Sequence, residues 1–393
     1  MSELLIIRNF GPLKDIKISL SRINVFIGET ASGKSILAKL SAIFTSNKFL
    51  KNIDEKSFLT ALKHYDIDIY LDNNSYICFE SFGLYIEYKN KILKTNYPHK
   101  TNKIYTNSFD TIIEYLEELQ RYFYDIINSD EKAYHSNGER WENIKSYLLN
   151  IDDNIIEKKI TKEFADEITK FQTVKDKSGI FSTEMELELA FKFYELIEKH
   201  LFNIKKSVYI PAERAYISTL SNSLFSIIRE GITLPACLTD FGAHFEQARN
   251  ILKKHTLKIL NIEYRFENNK NVIHSPAFQK ELQLTQVSSG MQAVIPMLLV
   301  LENIQNKLRF IKHCIVIEEP ELNLFPGMQK QLVELIIKNL SDNEISYTAS
   351  NHIIREEKLK EWTKKYINKN DRLIITTHSP YVLTTLDSLV QAK

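Results

Sequence analysis

The sequence predicts an α/β fold, a mixed sheet with a small antiparallel subdomain and a helical insertion. Three observations lead there. Apolar runs of strand length at residues 23–27, 314–317 and 373–376 end at glycine or polar residues. The closing part of the chain alternates strand, helix (residues 328–340) and strand, the rhythm of parallel pairing. Residues 65–97 alternate with the period of strands, whereas residues 108–203 repeat with the period of helices.

Length and composition narrow the class. A single core rarely grows past roughly 250 to 300 residues, so a 393-residue chain is expected to hold one α/β core with an insertion. The chain is 44% hydrophobic and 26% charged with a net charge of +1, so no global charge points to nucleic acid. A basic patch offset by acidic surface elsewhere leaves DNA contact open. Cys78, Cys237 and Cys314 share no close spacing, which argues against a disulfide framework or thiolate zinc site and fits a reducing cytoplasm. No signal peptide is apparent before the first strand pattern. No apolar run approaches the roughly 20 residues of a membrane span, and the longest, Ala293 to Leu301, contains Pro296.

Along the chain, residues 4–7 and 16–20 read as strands joined through Asn9, Gly11 and Pro12. The strand at 23–27 ends at Gly28, and a helix covers about residues 34–44. Ile67/Ile69, Tyr76/Cys78 and Tyr85/Ile86/Tyr88 alternate between turn residues, predicting the small antiparallel sheet. Ile112, Leu116, Leu119, Phe123 and Ile126 share a helix face, and Thr183 with Glu186 forms a capping box. Helical packing accounts for that stripe without a cofactor. Strands at 207–210, 259–266 and 281–286 return the chain to sheet. Residues 1–100 thus open the core, 101–206 are the helical insertion, and 207–393 close the core, with 342–370 as a second insertion.

Four segments carry chemistry. Gly28-Glu29-Thr30-Ala31-Ser32-Gly33-Lys34-Ser35 fits G-x-x-x-x-G-K-[ST] between a strand and a helix, the context this pattern requires. Its backbone N–H groups would face a β-phosphate, Lys34 would reach the β/γ-phosphates, and Ser35 would ligate Mg²⁺. ATP and Mg²⁺ are the expected ligands. Glu318 and Glu319 end the strand at 314–317, on the sheet edge where such folds present side chains to ligands. Glu318 is expected to hold Mg²⁺ and Glu319 to orient or deprotonate the attacking water. Paired glutamates alone ordinarily begin a solvated loop; the phosphate loop changes their meaning. In Val287-Ser288-Ser289-Gly290-Met291-Gln292, Ser288, Ser289 and Gly290 open a helix and would face another phosphate, although Ser-Ser-Gly by itself is a turn. His378, in Thr376-Thr377-His378-Ser379-Pro380, stands at a further strand end, placed to hydrogen-bond developing γ-phosphate charge.

In this order the segments resemble the ABC-type ATPases of the SMC, RecF and OLD group, including the AAA-labelled ATPases of bacterial defence systems, PtuA-like or OLD-like. The resemblance runs from Ile7-Arg8-Asn9-Phe10-Gly11 through the phosphate loop as Walker A to VSSGMQ as signature. IEEPELNLFP then resembles Walker B with its D-loop, and TTHSP the switch histidine, over roughly residues 1–44 and 207–393. It implies a P-loop NTPase fold of ABC type and a homodimer or higher even oligomer. In it Ser288, Ser289 and Gly290 act on the partner's nucleotide, and Glu321, Leu322 and Asn323 line the seam. Two departures stand out. Pro211-Ala212-Glu213-Arg214 replaces the Q-loop glutamine, leaving Arg214 as the candidate sensor, and no long heptad coiled coil occurs. The implied function is a dimeric, ATP-hydrolysing switch in anti-phage defence or DNA maintenance, controlling a separate nuclease or effector. The alternatives are the ATPase half of an OLD-type nuclease cut before its Toprim domain, and a low-turnover scaffold assembled by ATP.

Overall fold

The computed structural model describes residues 3–50, 52–81, 84–96, 205–220, 233–277, 280–305, 312–341 and 371–391. The apolar stripe at Ile112, the capping box at Thr183 and the 342–370 insertion lie outside these residues. Among the described residues, no helix is long and apolar enough to cross a membrane.

The centre is a parallel sheet of β3 (Ile23–Ile27), β13 (Arg372–Thr377), β12 (Lys312–Glu318) and β7 (Lys205–Ile210), in that spatial order. Parallel strands are covered on both faces, which is why 314–317 and 373–375 are unbroken apolar runs, each residue 0% exposed. Alternation along the strands then divides them between two cores. Tyr209, Cys314, Val316 and Ile374 face one side, where α1 (Lys34–Thr45) packs. Val208, Ile210, Ile315, Ile317, Leu373 and Ile375 face the other.

The α1 side is closed by an antiparallel sheet in the order β2–β1–β4–β5–β6. Its strands are β1 (Glu3–Phe10), β2 (Leu13–Leu20), β4 (Tyr76–Ser81), β5 (Leu84–Lys89) and β6 (Ile92–Thr95). The two opening strands therefore belong to the small sheet expected further along the chain. Between the sheets lie α1 and α2 (Glu55–His64), with Phe44 stacked on Phe79 at a centroid distance of 5.2 Å and tilted against Phe58. The strand expected at Ile67/Ile69 is instead a 3₁₀ turn, Asp68–Tyr70, with Ile69 78% exposed. Carbonyls at the end of α2 capture the Asp66 and Ile67 N–H groups, and Asp66 takes a φ of 53°, so the chain turns before a strand can form.

The opposite face carries α3 (Ala215–Leu220), α4 (Ala236–Ile251), α5 (Ser289–Gln305) and α6 (Pro326–Ser341), and α7 (Pro380–Gln391) packs on α6. A second antiparallel sheet, β11–β10–β9–β8, contributes Leu257, Ile262, Tyr264 and Ile273 to the same core. Here one expected strand, 259–266, is divided. β8 (Lys254–Leu257) ends in a 3₁₀ turn, Lys258–Leu260, and left-handed Asn261 starts β9 (Ile262–Glu267), which pairs with β10 (Lys270–His274). The strand expected at 281–286 shrinks to β11 (Leu282–Gln283), because the Gln283 and Gln286 side chains cap a 3₁₀ turn at Leu284–Gln286.

One buried charge cluster ties β1 to the start of two parallel strands. Lys205 Nζ donates to Glu3 Oε1 at 3.0 Å, and Arg372 donates to Glu3 Oε2, with all three residues at most 6% exposed. Burial pushes the Glu3 carboxyl up, but the Arg372 hydrogen bond and the two cations outweigh it and hold it below its ordinary 4.5. Its stabilising contribution is therefore complete above that value and lost as pH falls through the folded one. Glu3→Gln is expected to lower unfolding free energy at neutral pH by about 3 kcal/mol, since it strands buried cations. In urea titrations the gap to wild type should narrow as pH is lowered below the ordinary glutamate range.

Candidate functional site

The loop Gly28 to Ser35 leaves β3 and opens α1. Gly33, with a φ of 94°, has neither the conformation nor the room for a side chain: an added Cβ would sit 2.5 Å from Leu13 Cδ2. Ala31 is also left-handed, at φ 62°. The first N–H groups of α1 have no acceptors within the helix, and no acidic residue stands in its first turn. Such a helix start attracts an anion. Lys34 curls over the loop, its Nζ donating to Gly28 O at 2.9 Å and Glu29 O at 2.6 Å, with Ser32 Oγ at 3.3 Å. Glu29, Thr30, Ser32 and Ser35 are exposed around it.

Because β13 lies between β3 and β12, the C-terminal ends of these strands stand side by side. His378 follows β13 and reaches both neighbours, with Nδ1 3.4 Å from Lys34 Nζ and Nε2 3.1 Å from Glu319 Oε1. With the ring proton on Nε2 donated to the carboxylate, Nδ1 is an acceptor facing the ammonium. Glu319 takes a φ of 41°, rare for a residue with a side chain, while its N–H still donates to Thr376 O at 2.9 Å. That turn swings its side chain away from the line of the strand.

Glu318 keeps the strand alternation and shares the α1 face with Val316, 4% exposed. Its Oε1 and the Thr376 Oγ1 are buried without a well-formed hydrogen bond among the described residues, and the buried Tyr209 hydroxyl stands close to the Glu318 carboxylate. Burial and the Glu318 charge push the Tyr209 hydroxyl well above its ordinary value, keeping its proton on. Buried orphan oxygens are costly unless something satisfies them. A hydrated cation beside the start of α1 would do so, and Ser35 with Glu318 could hold Mg²⁺ there.

Ser288, Ser289 and Gly290 stand at the start of α5, whose apolar residues belong to the core on the other face of the sheet. Both serines are exposed. Gln292 pins the approach to this helix, its Nε2 donating to Val287 O at 2.9 Å and Thr285 O at 3.2 Å. Pro296 has no N–H to give to Gln292 O, and Ser218 Oγ of α3 donates there instead, at 2.9 Å. Gly290 lies against the loop after β12, where an added Cβ would meet Asn323 O at 2.6 Å.

The family described as AAA ATPase domain matches residues 1–383. The chain belongs to that family. No curated protein matches its sequence. Solved structures similar to it include an SMC head bound to the C-winged helix domain of ScpA, with 11% identity over 98% of this chain and 92% of that one, at a TM-score of 0.34. The recombination mediator protein RecF–ATPrS of the RecFOR pathway has 12% identity over 97% and 93%, at 0.30. At such scores the likeness carries neither activity nor partner across.

Several residues of this AAA ATPase domain take parts that local sequence did not announce. Glu321, placed at the dimer seam by resemblance, is 8% exposed and engaged within the chain, its Oε1 accepting from Thr377 Oγ1 and from the His378 N–H at 3.0 Å. Gln329 of α6 donates to Leu324 O at 2.8 Å and accepts from Ser379 Oγ at 2.6 Å. Together they lock the loop after β12 to the loop after β13. Arg214, the candidate sensor, is 0% exposed and gives its guanidinium to carbonyls of the chain: Pro211 O, Glu318 O and Glu319 O, at 3.1, 2.7 and 2.7 Å. Only the fold reveals these links, since a glutamine or an arginine in a helix or loop has no local signature. Gly290→Ala is expected to cost about 1 to 3 kcal/mol, the scale of overpacking against fixed backbone. Thermal unfolding measures it, and wild-type stability would show that the Asn323 loop yields freely.

Proposed function

We propose that this chain binds ATP with Mg²⁺ on the loop Gly28 to Ser35 and hydrolyses it, with Glu319 as base, in a dimer closed by the nucleotide. The observation that carries the reading is the contiguity of Lys34, His378 and Glu319 across adjacent strand ends beside a helix-start anion site. The loop N–H groups and Lys34 hold the β/γ-phosphates, the ammonium exchanging loop carbonyls for phosphate oxygens. Ser35 and Glu318 hold Mg²⁺, which offsets phosphate charge. Glu319 accepts a proton from the attacking water, and the Nε2–H of His378 holds its carboxylate in place.

Ser288, Ser289 and Gly290 serve the nucleotide of a second copy, turned head to tail, so that the pair shares composite sites. Their exposed hydroxyls at a helix start, in a different layer from the chain's own α1, support this. In the setting implied by the sequence resemblance, opening and closing controls a separate nuclease or effector in defence or DNA maintenance.

Lys34→Ala should abolish ATP binding in titration calorimetry. Glu319→Gln should bind ATP yet turn it over at least about a hundredfold more slowly, the scale of losing a positioned base. An ATP-loaded, inactive Glu318→Gln beside an active Glu319→Gln would reverse the two roles. In sedimentation, Glu319→Gln should dimerise with ATP and poorly with ADP, because only a ligand that distinguishes open from closed shifts that equilibrium. Adding Ser289→Arg should prevent it; undiminished dimerisation would remove Ser289 from the interface.

A further inference from the structure

The segment after β7 enters the site from beneath. Arg214 closes a 3₁₀ turn, Ala212–Arg214, and its side chain is among the largest that are fully buried. Burying a guanidinium is costly unless its donors are met and its charge is balanced. Here Nη1 donates to Glu318 O and Pro211 O, and Nη2 to Glu319 O, while Nε is buried without a hydrogen-bond partner among the described residues. Glu318, Glu319 and Glu321 supply the balancing charge. The fork therefore grips consecutive peptide carbonyls at the point where β12 ends and Glu319 departs into the left-handed region. A non-glycine residue stays in that region only where its surroundings over-determine it. Three contacts do so at the Glu319 backbone: Thr376 O accepts from its N–H, and its C=O accepts from the Leu322 N–H at 3.0 Å and from Arg214 at 2.7 Å.

We propose that Arg214 is a positioning residue, which fixes the backbone of Glu318 and Glu319 so that the Glu319 carboxylate stays beside His378 rather than following the strand. This rests on the hydrolytic reading above. Lysine keeps the charge but, as a point donor on a flexible stem, cannot bridge two carbonyls with the geometry of a planar fork. Arg214 does not touch the phosphate loop in any described contact, so nucleotide affinity and turnover should separate.

The test is a double-mutant cycle on the full chain, with ATP turnover, ATP binding and thermal unfolding measured for Arg214→Lys, Arg214→Met, Glu319→Gln and the Arg214→Lys/Glu319→Gln pair. Arg214→Lys should fold, bind ATP within about threefold of wild type, and lose turnover by about a hundredfold, the scale of a misplaced reacting group. The pair should turn over no more slowly than Glu319→Gln alone, because a residue acting through Glu319 has nothing further to remove. Losses that multiply, or a folded Arg214→Lys with wild-type turnover, would overturn the proposal. So would loss of both folding and ATP binding in the Lys and Met variants, which would make Arg214 a purely structural cation. If Glu319→Gln itself hydrolyses ATP normally, the fault lies with the hydrolytic reading and not with Arg214.

Discussion

The placement of β13 between β3 and β12 is the constraint on which the candidate site depends. In a parallel sheet every strand delivers its C-terminal end to the same edge, so residues far apart in sequence meet there without long excursions of loop. Gly28 leaves one strand, His378 the next and Glu319 the third. The register is secured because both faces are buried: a slip by a single residue would exchange the apolar sets that serve the two cores. The same alternation leaves Glu318 on the α1 face, where the phosphate loop begins its helix.

Buried charge secures the sheet at its two ends. At the N-terminal edge Glu3 joins Lys205 and Arg372, the first residues of β7 and β13, to the opening strand. At the C-terminal edge Arg214 joins the end of β7 to the end of β12. Burial pulls the Arg214 guanidinium down to about 10, while Glu321, Glu319 and Glu318 work against that shift, so it remains a cation near neutral pH. Each cluster connects segments that the apolar cores alone would hold less specifically, and each leaves a charge uncompensated when one member is removed.

The loops at the site edge are coupled to one another by polar side chains and by one close backbone contact. Glu321 holds the His378 loop, Gln329 holds both the Leu324 and Ser379 ends, and Asn323 O lies against Gly290. Through Ser218 and the carbonyl that Pro296 leaves free, α5 is also bound to the segment that carries Arg214.

The phosphate loop was legible in the sequence because its chemistry is local: glycine where the backbone is left-handed and crowded, lysine and serine at a helix start. The apolar runs of β12 and β13 were legible for a similar reason, since burial on both faces excludes polar residues from consecutive positions. Ile67/Ile69 misled because two alternating residues cannot outweigh the capture of the chain by the end of α2, and 259–266 misled because one left-handed asparagine divides it. Arg214 read as a sensor because its position relative to β7 is all that a sequence offers. Its burial, and the carbonyls it grips a hundred residues further along, depend on which strand lies beside which. Local backbone chemistry thus determined the loop, the strands and the paired glutamates, while strand order and the partners of buried polar groups arise only when distant segments share one desolvated core.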